Sequence, residues 1–409
     1  KKKKKAKQTV SFTNFTAGEL SPRLDGRTDV GKYFNGFKTL ENMVVHPHGA
    51  ATRRPGTKFV HEVKDSSAKT RLIPFEFSTT QTYIMEFGNQ YIRFYKDQGI
   101  ITESDKTITA ITKANPGVVT ISSHGFSNGD HVIISSVGGM TEVNGKTFKV
   151  ANKTTNTFEL QNVDGVNVNT SSFTTYTSGG VANRIYEIAS PYNTADLFEI
   201  KFAQSADIMY IVHPSHAIRK LSRTGHTSWT LSAVSITGSP SPALNTGTGK
   251  FPSCVTFFEQ RLVFAGTNDN PQTLFFSKSA ELENFTTGTN ATDAMVYSIA
   301  SNKVNAIRYL SAQRSLLVGT VGGEFVVSAS GTTSPITPTN IQIQRQSSYG
   351  SANVDAVQIE NVTMFLQRAK RKIRELTYNL NIDQYQATDL TLLAEHITEG
   401  GINEIFFFF

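Results

Sequence analysis

The chain has 409 residues, enough for two or three domains, with a hydrophobic fraction of 38%, 28 Phe and 30 Gly. Five units of its net charge of +7 come from Lys1–Lys5, and the remaining charge of about +2 argues against a dedicated polyanion-binding protein. Cys254 is the only cysteine, which excludes an internal disulfide and a cysteine-based metal centre, and no apolar run is long enough to span a bilayer as a helix. No segment reads as a signal peptide, so a soluble protein assembled in a reducing compartment is expected.

The opening lysines read as a solvated tail at the head of a first segment, residues 1–69. Within it, residues 29–40 predict one short helix, with Asp29 as N-cap and Tyr33, Phe34, Phe37 and Leu40 on a single apolar face. A loop bounded by Pro and Gly follows, carrying His46, His48, Arg53 and Arg54. Residues 70–104 hold three apolar strands, LIPFEF, TYIMEF and QYIRFY, separated by polar breaks. The same three-strand pattern restarts at Phe198, Pro252, Ala306 and Ala356, at spacings of 54, 54 and 50 residues. Only the first interval is long, at 126 residues, and it contains 79 residues of different character, 105–183. That insertion has short strands divided by Asn115-Pro116, Asn128-Gly129-Asp130, Asn144-Gly145 and Asp164-Gly165, the marks of a small β-barrel or sandwich lying between the first and second blades.

A period near 50 built from short strands predicts all-β, β-propeller-like blades over residues 70–104 and 184–405. No blade can bury both faces alone, so the repeat predicts stacked sheets with a mainly structural purpose. Residues 406–409, four consecutive Phe, would invite aggregation if exposed and are expected to be an artefact or a truncation.

Chemistry is sparse. No phosphate-binding glycine loop, GxSxG elbow or HExxH helix is present. The pairs His46/His48 and His213/His216 could each offer two imidazoles, but in Pro-bearing turns without a nearby carboxylate they read as turn residues at blade edges. TNDN at 267–270 lacks the central Gly and closing Glu of a calcium loop. SRTGHTSW at 222–229 departs from the Ser-x-Asp-x-Gly-x-x-Trp hairpin of propeller glycosidases, and Trp229 reads as a blade anchor. Glu259, Glu324 and Glu375 are carboxylates without an evident partner for glycoside hydrolysis. Arg368, Lys370, Arg371, Lys372 and Arg374 form the densest basic cluster, a candidate rim whose members would alternate between faces if they lay in a strand. No catalytic set, metal or cofactor is expected.

Three stretches carry a resemblance: FTAGELSPRLDGRTDVGKYFNGFKTLENMVVHPHGAATRRPGTKFV with the following RLIPFEFSTTQTYIMEFGNQYIRFYKD, then IYEIASPYNTADLFEIKFAQSADIMYIVHPSHAIRKLSRTGHTSWTL, and PSCVTFFEQRLVFAGT. They resemble the tail tubular protein B (tail nozzle) family of short-tailed phages. HGFSNGDHVIISSVGGMTEVNGKTFKVANKTTNTFEL is similar to the small β module of ubiquitin-activating enzymes, the first catalytic-cysteine half-domain. Cys254 lies outside it, so the likeness transfers no ubiquitin chemistry. The nozzle resemblance implies a homohexameric ring in the virion tail, below the portal and adaptor ring, that conducts genomic DNA without sequence-specific binding and anchors fibres or a needle. It implies a platform from residues 1–69, with Ser21, Pro22, Arg53 and Arg54 facing the adaptor, and a fin from the insertion. The competing expectation is an adsorption protein whose propeller or fin grips a cell-surface glycan.

Overall fold

A computed structural model describes residues 12–300, 305–331 and 335–407. Lys1–Lys5, Phe408 and Phe409 lie outside the described residues. The chain divides into two compact units, one of residues 59–236 and 243–253 and the other of residues 1–58, 237–242 and 254–409.

In the first of these units, Arg71–Ser78, Gln81–Gly88 and Tyr91–Lys96 form an antiparallel meander, the first blade. Burial along Arg71–Ser78 alternates, so Ile73 and Phe75 face inward while Leu72 and Glu76 face out. The second blade is Lys201–Ser205, Ile208–His213, His216–Gly225 and Ser228–Ala233. Ile73, Phe75, Tyr83, Met85 and Phe94 of the first blade share one core with Met209, Ile211, Leu221 and Trp229 of the second. Trp229 anchors this contact. Its ring stacks on Phe94 at 4.4 Å and meets Phe75 and Tyr83 edge-on at 4.8 and 5.2 Å.

The insertion sits elsewhere than expected. Glu187–Ala189, which follows it, pairs with Tyr91–Lys96 and supplies the outer strand of the first blade. The insertion therefore interrupts that blade rather than separating it from the second. Its sheet runs in the order Ala110–Ile111, Val118–Thr120, Thr157–Gln161, Lys146–Ala151, His131–Gly138, Ser178–Arg184, Lys106–Thr107. The first and last of these belong to one stretch of chain. Between them, Ile108 N–H donates to Gly180 O and Thr109 N–H to Thr120 O. One bent strand thus joins both edges and closes a small barrel around Val119, Val132, Phe148 and Phe158.

The other unit carries three more blades. The third is Pro252–Phe258, Arg261–Thr267, Thr273–Phe276 and Met295–Ser298, its first two residues being assigned to the first unit. The fourth is Ile307–Ala312, Leu316–Thr320, Gly323–Ala329 and Ile341–Ser347. The fifth is Val357–Ile359, Val362–Leu366, Ile373–Asn379 and Gln384–Asp389. Cys254, Val263 and Phe276 pack with Leu316, Val318 and Val327 between the third and fourth, and Tyr309 and Leu317 pack with Phe365 and Leu376 between the fourth and fifth. The first, second, third and fifth blades thus gain a fourth, outer strand beyond the three expected, whereas in the fourth blade Ile341–Ser347 is the outer strand that the polar stretch carrying Pro335 and Pro338 predicts.

The predicted helix over residues 29–40 is reduced to a single 3-10 turn, Tyr33–Asn35. Asp29 pairs with Arg27 at 2.7 Å instead of capping. Gly36–Phe37 leaves the helical path to pair with Gly18–Glu19, and a Cβ at Gly36 would fall 2.5 Å from the Leu20 side chain. Phe37 stacks on Phe15 at 4.3 Å and Leu40 N–H donates to Glu19. The apolar period is therefore spent on an extended neighbour rather than on successive helical turns.

Candidate functional sites

Among the expected platform residues, Ser21 is buried and its Oγ accepts from Arg23 N–H, capping the 3-10 turn Pro22–Leu24 with Pro22 in the first position. Ser21 N–H donates to Leu393 O at 2.7 Å, His396 bonds Glu19 at 2.8 Å, and Arg23 pairs with Glu395. Ser21, with Glu19 and Arg23, thus fastens the N-terminal segment to residues 393–396, while Pro22 only opens the turn. Arg53 and Arg54 are exposed at the end of the hairpin Met43–Val45/Ala51–Arg53, where Arg54 Nε donates to Asn42 Oδ1 at 3.3 Å. His46 and His48 stack in the same hairpin, with His46 Nε2 2.8 Å from Thr52 Oγ1.

The basic rim is smaller than expected, and it lies in a turn instead of a strand. Gln367–Lys372 reverses the chain, with Lys370 N–H donating to Gln367 O and Lys370 at a φ of 60°. Arg368, Lys370 and Arg371 are exposed on that turn. Lys372 is paired with Asp389 at 2.7 Å. Arg374 is buried, donates to Gln367 Oε1 and Ala387 O, and lies 3.5 Å from the Tyr349 ring centroid. Arg374 is a packing residue.

Two of the three carboxylates flagged in the sequence, Glu324 and Glu259, are occupied locally. Glu324 is fully buried and accepts from the Ser347 and Ser351 hydroxyls, and burial raises its pKa. Glu259 accepts from Ile336 N–H at 2.6 Å. In TNDN, Asn270 N–H donates to Thr267 Oγ1, a turn ahead of Thr273–Phe276.

The insertion is fixed to the first blade by buried charge. Arg93 is fully buried; its Nε donates to Glu187 Oε2 at 2.9 Å and its Nη2 lies 3.0 Å from His131 Nδ1, at the start of a barrel strand. Lys64 bonds the other oxygen of Glu187. Burial and the nearby Arg93 push the His131 pKa down to about 4, so the ring is neutral and accepts from the guanidinium. Arg184 adds a second tie, to Glu103 at 2.8 Å and Asp130 at 3.1 Å. Beside this network opens a polar cleft of about 740 Å³, lined by Lys64, Tyr91, Asp130, Lys149, Asp164 and Glu187 among others.

His213 and His216 do meet carboxylates, against expectation. Asp196 and Glu199 lie at the 3-10 turn Leu197–Glu199 that precedes the second blade. His213 Nε2 is 3.8 Å from Asp196 Oδ1 and 3.7 Å from Glu199 Oε2, and His216 Nε2 is 2.9 Å from Asp196 Oδ2. Asp196, His213 and His216 each place a donor atom within 4.8 Å of the others, the one such group among the described residues. Burial pushes the His213 pKa down to about 4, so its 3.7–3.8 Å approaches are not ion pairs at neutral pH. His213 Nδ1 accepts from Ser215 N–H, while its buried Nε2 has no hydrogen-bond partner. The 17 residues separating Asp196 from His213 hid this convergence; only the fold of the blade brings them together.

Residues 114–185 match the family model described as the ubiquitin-activating enzyme E1 FCCH domain. The inserted barrel is similar to that domain. Ubiquitin-like modifier-activating enzyme 1 of Oryctolagus cuniculus is 33% identical over 108 residues, covering 24% of this chain and 10% of the relative. The Homo sapiens enzyme is 32% identical over 109 residues with the same coverage. The chain therefore spans about a tenth of the length of these curated relatives, and Cys254 lies outside the matched residues. Among solved structures, phage phi92 endosialidase is similar at 12% identity and a TM-score of 0.31, covering 74% of this chain and 53% of that one. The β-propeller domain of Myceliophteria thermophila Cps50 (Swd1) is similar at 9% identity and 0.32, covering 78% and 88%. Likenesses at that level say nothing about activity.

Proposed function

We propose that the chain is a structural tail nozzle protein of a short-tailed bacteriophage. In this reading six copies form a ring below the portal and adaptor, the ring conducts DNA during ejection, and it anchors other tail parts. The observation that carries the reading is the sequence resemblance of residues 15–97, 185–231 and 252–267 to the nozzle family. Consistent with a mechanical part, the groups singled out for chemistry, Glu259, Glu324 and Arg374, are tied into local hydrogen bonds. A rigid array of sheets suits a conduit under pressure, and closed symmetry would turn one subunit contact into a continuous wall. A conduit should also hold DNA loosely, since each phosphate-pairing cation would add salt-sensitive friction. The near-neutral charge outside Lys1–Lys5 agrees with that requirement.

Negative-stain images of the purified protein test the reading. Rings of six copies around an axial pore are the expected result, and monomers or trimeric spikes would contradict it. The second reading, an adsorption protein gripping a surface glycan, draws on the polar cleft between the first blade and the barrel. It predicts glycan binding that is lost on Lys149→Ala in a protein that forms no ring.

A further inference from the structure

We propose that Asp196, Glu199, His213 and His216 form a binding site for one divalent transition-metal ion of zinc type, which ties the turn before the second blade to the hairpin between its second and third strands. Two imidazoles and two carboxylates are the donor set that a borderline ion prefers over magnesium or calcium. Donors sharing an ion at about 2.1 Å stand roughly 2.9–3.4 Å apart for angles between a right angle and a tetrahedron. The observed separations are 2.9 Å for His216–Asp196 and 3.7–3.8 Å from His213 to Glu199 and Asp196. The donors of Asp196, His213 and His216 all lie within 4.8 Å of one another, so an ion would draw them together by as much as about 1.4 Å, with Glu199 closing from the His213 side.

A second observation points the same way. His213 is 2% exposed, and its Nε2 faces the two carboxylates without a hydrogen-bond partner. Left alone, that buried polar atom is an uncompensated cost, which an ion would remove. The separation is too long for a direct hydrogen bond to either carboxylate. Tyr192 packs edge-on against His216 at 5.2 Å and walls the cluster on one side.

Binding redistributes protons in a defined way. Each imidazole must present a bare Nε2 to the ion and carry its proton on Nδ1. For His213 this displaces the Ser215 N–H now donating to Nδ1. Ser215 is exposed, so water can accept its N–H in exchange. For His216 the proton now shared between Nε2 and Asp196 moves, by way of solvent, to Nδ1, so a neutral ring changes tautomer without net proton release. The proposal stands independently of the nozzle reading, because it concerns the second blade of a single chain.

The test uses the untagged full-length chain, stripped with a chelator and titrated with cobalt(II) chloride and then zinc chloride. One equivalent of cobalt bound, with visible absorption of a low-coordinate complex that zinc bleaches, is the expected result. His216→Ala and Asp196→Asn should weaken binding at least about tenfold, and Glu199→Gln should change the cobalt spectrum. His48→Ala, in the other histidine pair, should leave the titration unchanged. Absence of a one-equivalent phase would overturn the proposal, as would its loss in His48→Ala with retention in His216→Ala. If His213→Ala does not fold, the half-exposed Glu199 still decides the matter, since Glu199→Gln leaves the core intact; an unaltered spectrum there removes it from the site and overturns the four-residue assignment.

Discussion

At the scale of single residues, Trp229 and His131 show how much rests on individual burials. Trp229 fills the core shared by the first two blades and donates its Nε1–H to His226 O. Trp229→Ala should cost about 3–5 kcal/mol, the range for deleting a large buried aromatic ring, read from urea unfolding followed by circular dichroism. A loss under about 1 kcal/mol would mean that the two blades do not depend on this contact. The anchoring role was legible because a lone Trp in an otherwise polar hairpin, SRTGHTSW, has few other uses. The Arg93–His131 bond was not, since 38 residues separate the partners and the barrel strand must first form.

His131 also gives a pH prediction. Its folded pKa of about 4 lies below the ordinary value of about 6.5, depressed by burial first and then by Arg93, Lys64 and Lys149, with Glu187 opposing. A depressed histidine binds fewer protons folded than unfolded, so its contribution is complete above about pH 6.5 and is lost as pH falls toward 4. Buried Glu324, whose pKa is raised, acts in the opposite sense, because its desolvation penalty is relieved as it protonates. Comparing wild type with His131→Gln isolates the histidine. Unfolding midpoints of the two should diverge at pH 7 and converge by about pH 4. A constant difference across that window would show that protonation of His131 is not coupled to folding.

At the scale of elements, inner strands were readable and outer ones, apart from Ile341–Ser347 of the fourth blade, were not. Strands such as Arg261–Thr267 are buried along their whole length and read as continuous apolar runs. Outer strands alternate between partly buried and exposed positions, as in Gln384–Asp389, whose sequence QYQATD carries almost no hydrophobic signal. Glu187–Ala189 is only three residues long, and missing it displaced the insertion by one strand. The helix error has a comparable origin, because Gly36 allows a close approach of Leu20 that residue spacing cannot reveal. Close approach also governs the fourth blade. Gly319 lies opposite Tyr309 in register, and a Cβ there would overlap the fully buried Tyr309 ring. Gly319→Ala should destabilise by about 1–3 kcal/mol through overpacking, measured by chemical denaturation, while Gly400→Ala, with open space around it, should be near neutral. Equal effects at the two sites would refute the packing argument.

At the scale of the whole molecule, five related sheets recur across two compact units, and one of them is split by a barrel with its own core. The repeat was visible in the sequence because every blade needs the same buried inner strands whatever the molecule does. Function is not encoded that way. A nozzle would draw its role from the contacts between copies, and those leave no catalytic signature in a single chain. The central claim is accordingly about assembly, and the most direct measurement is a single-particle reconstruction of the intact virion into which these blades can be placed. The account predicts six copies coaxial with the portal vertex, with blades forming the channel wall and the barrel of residues 106–184 projecting from it. Finding the chain instead in peripheral fibres or spikes, away from the axis, would contradict it.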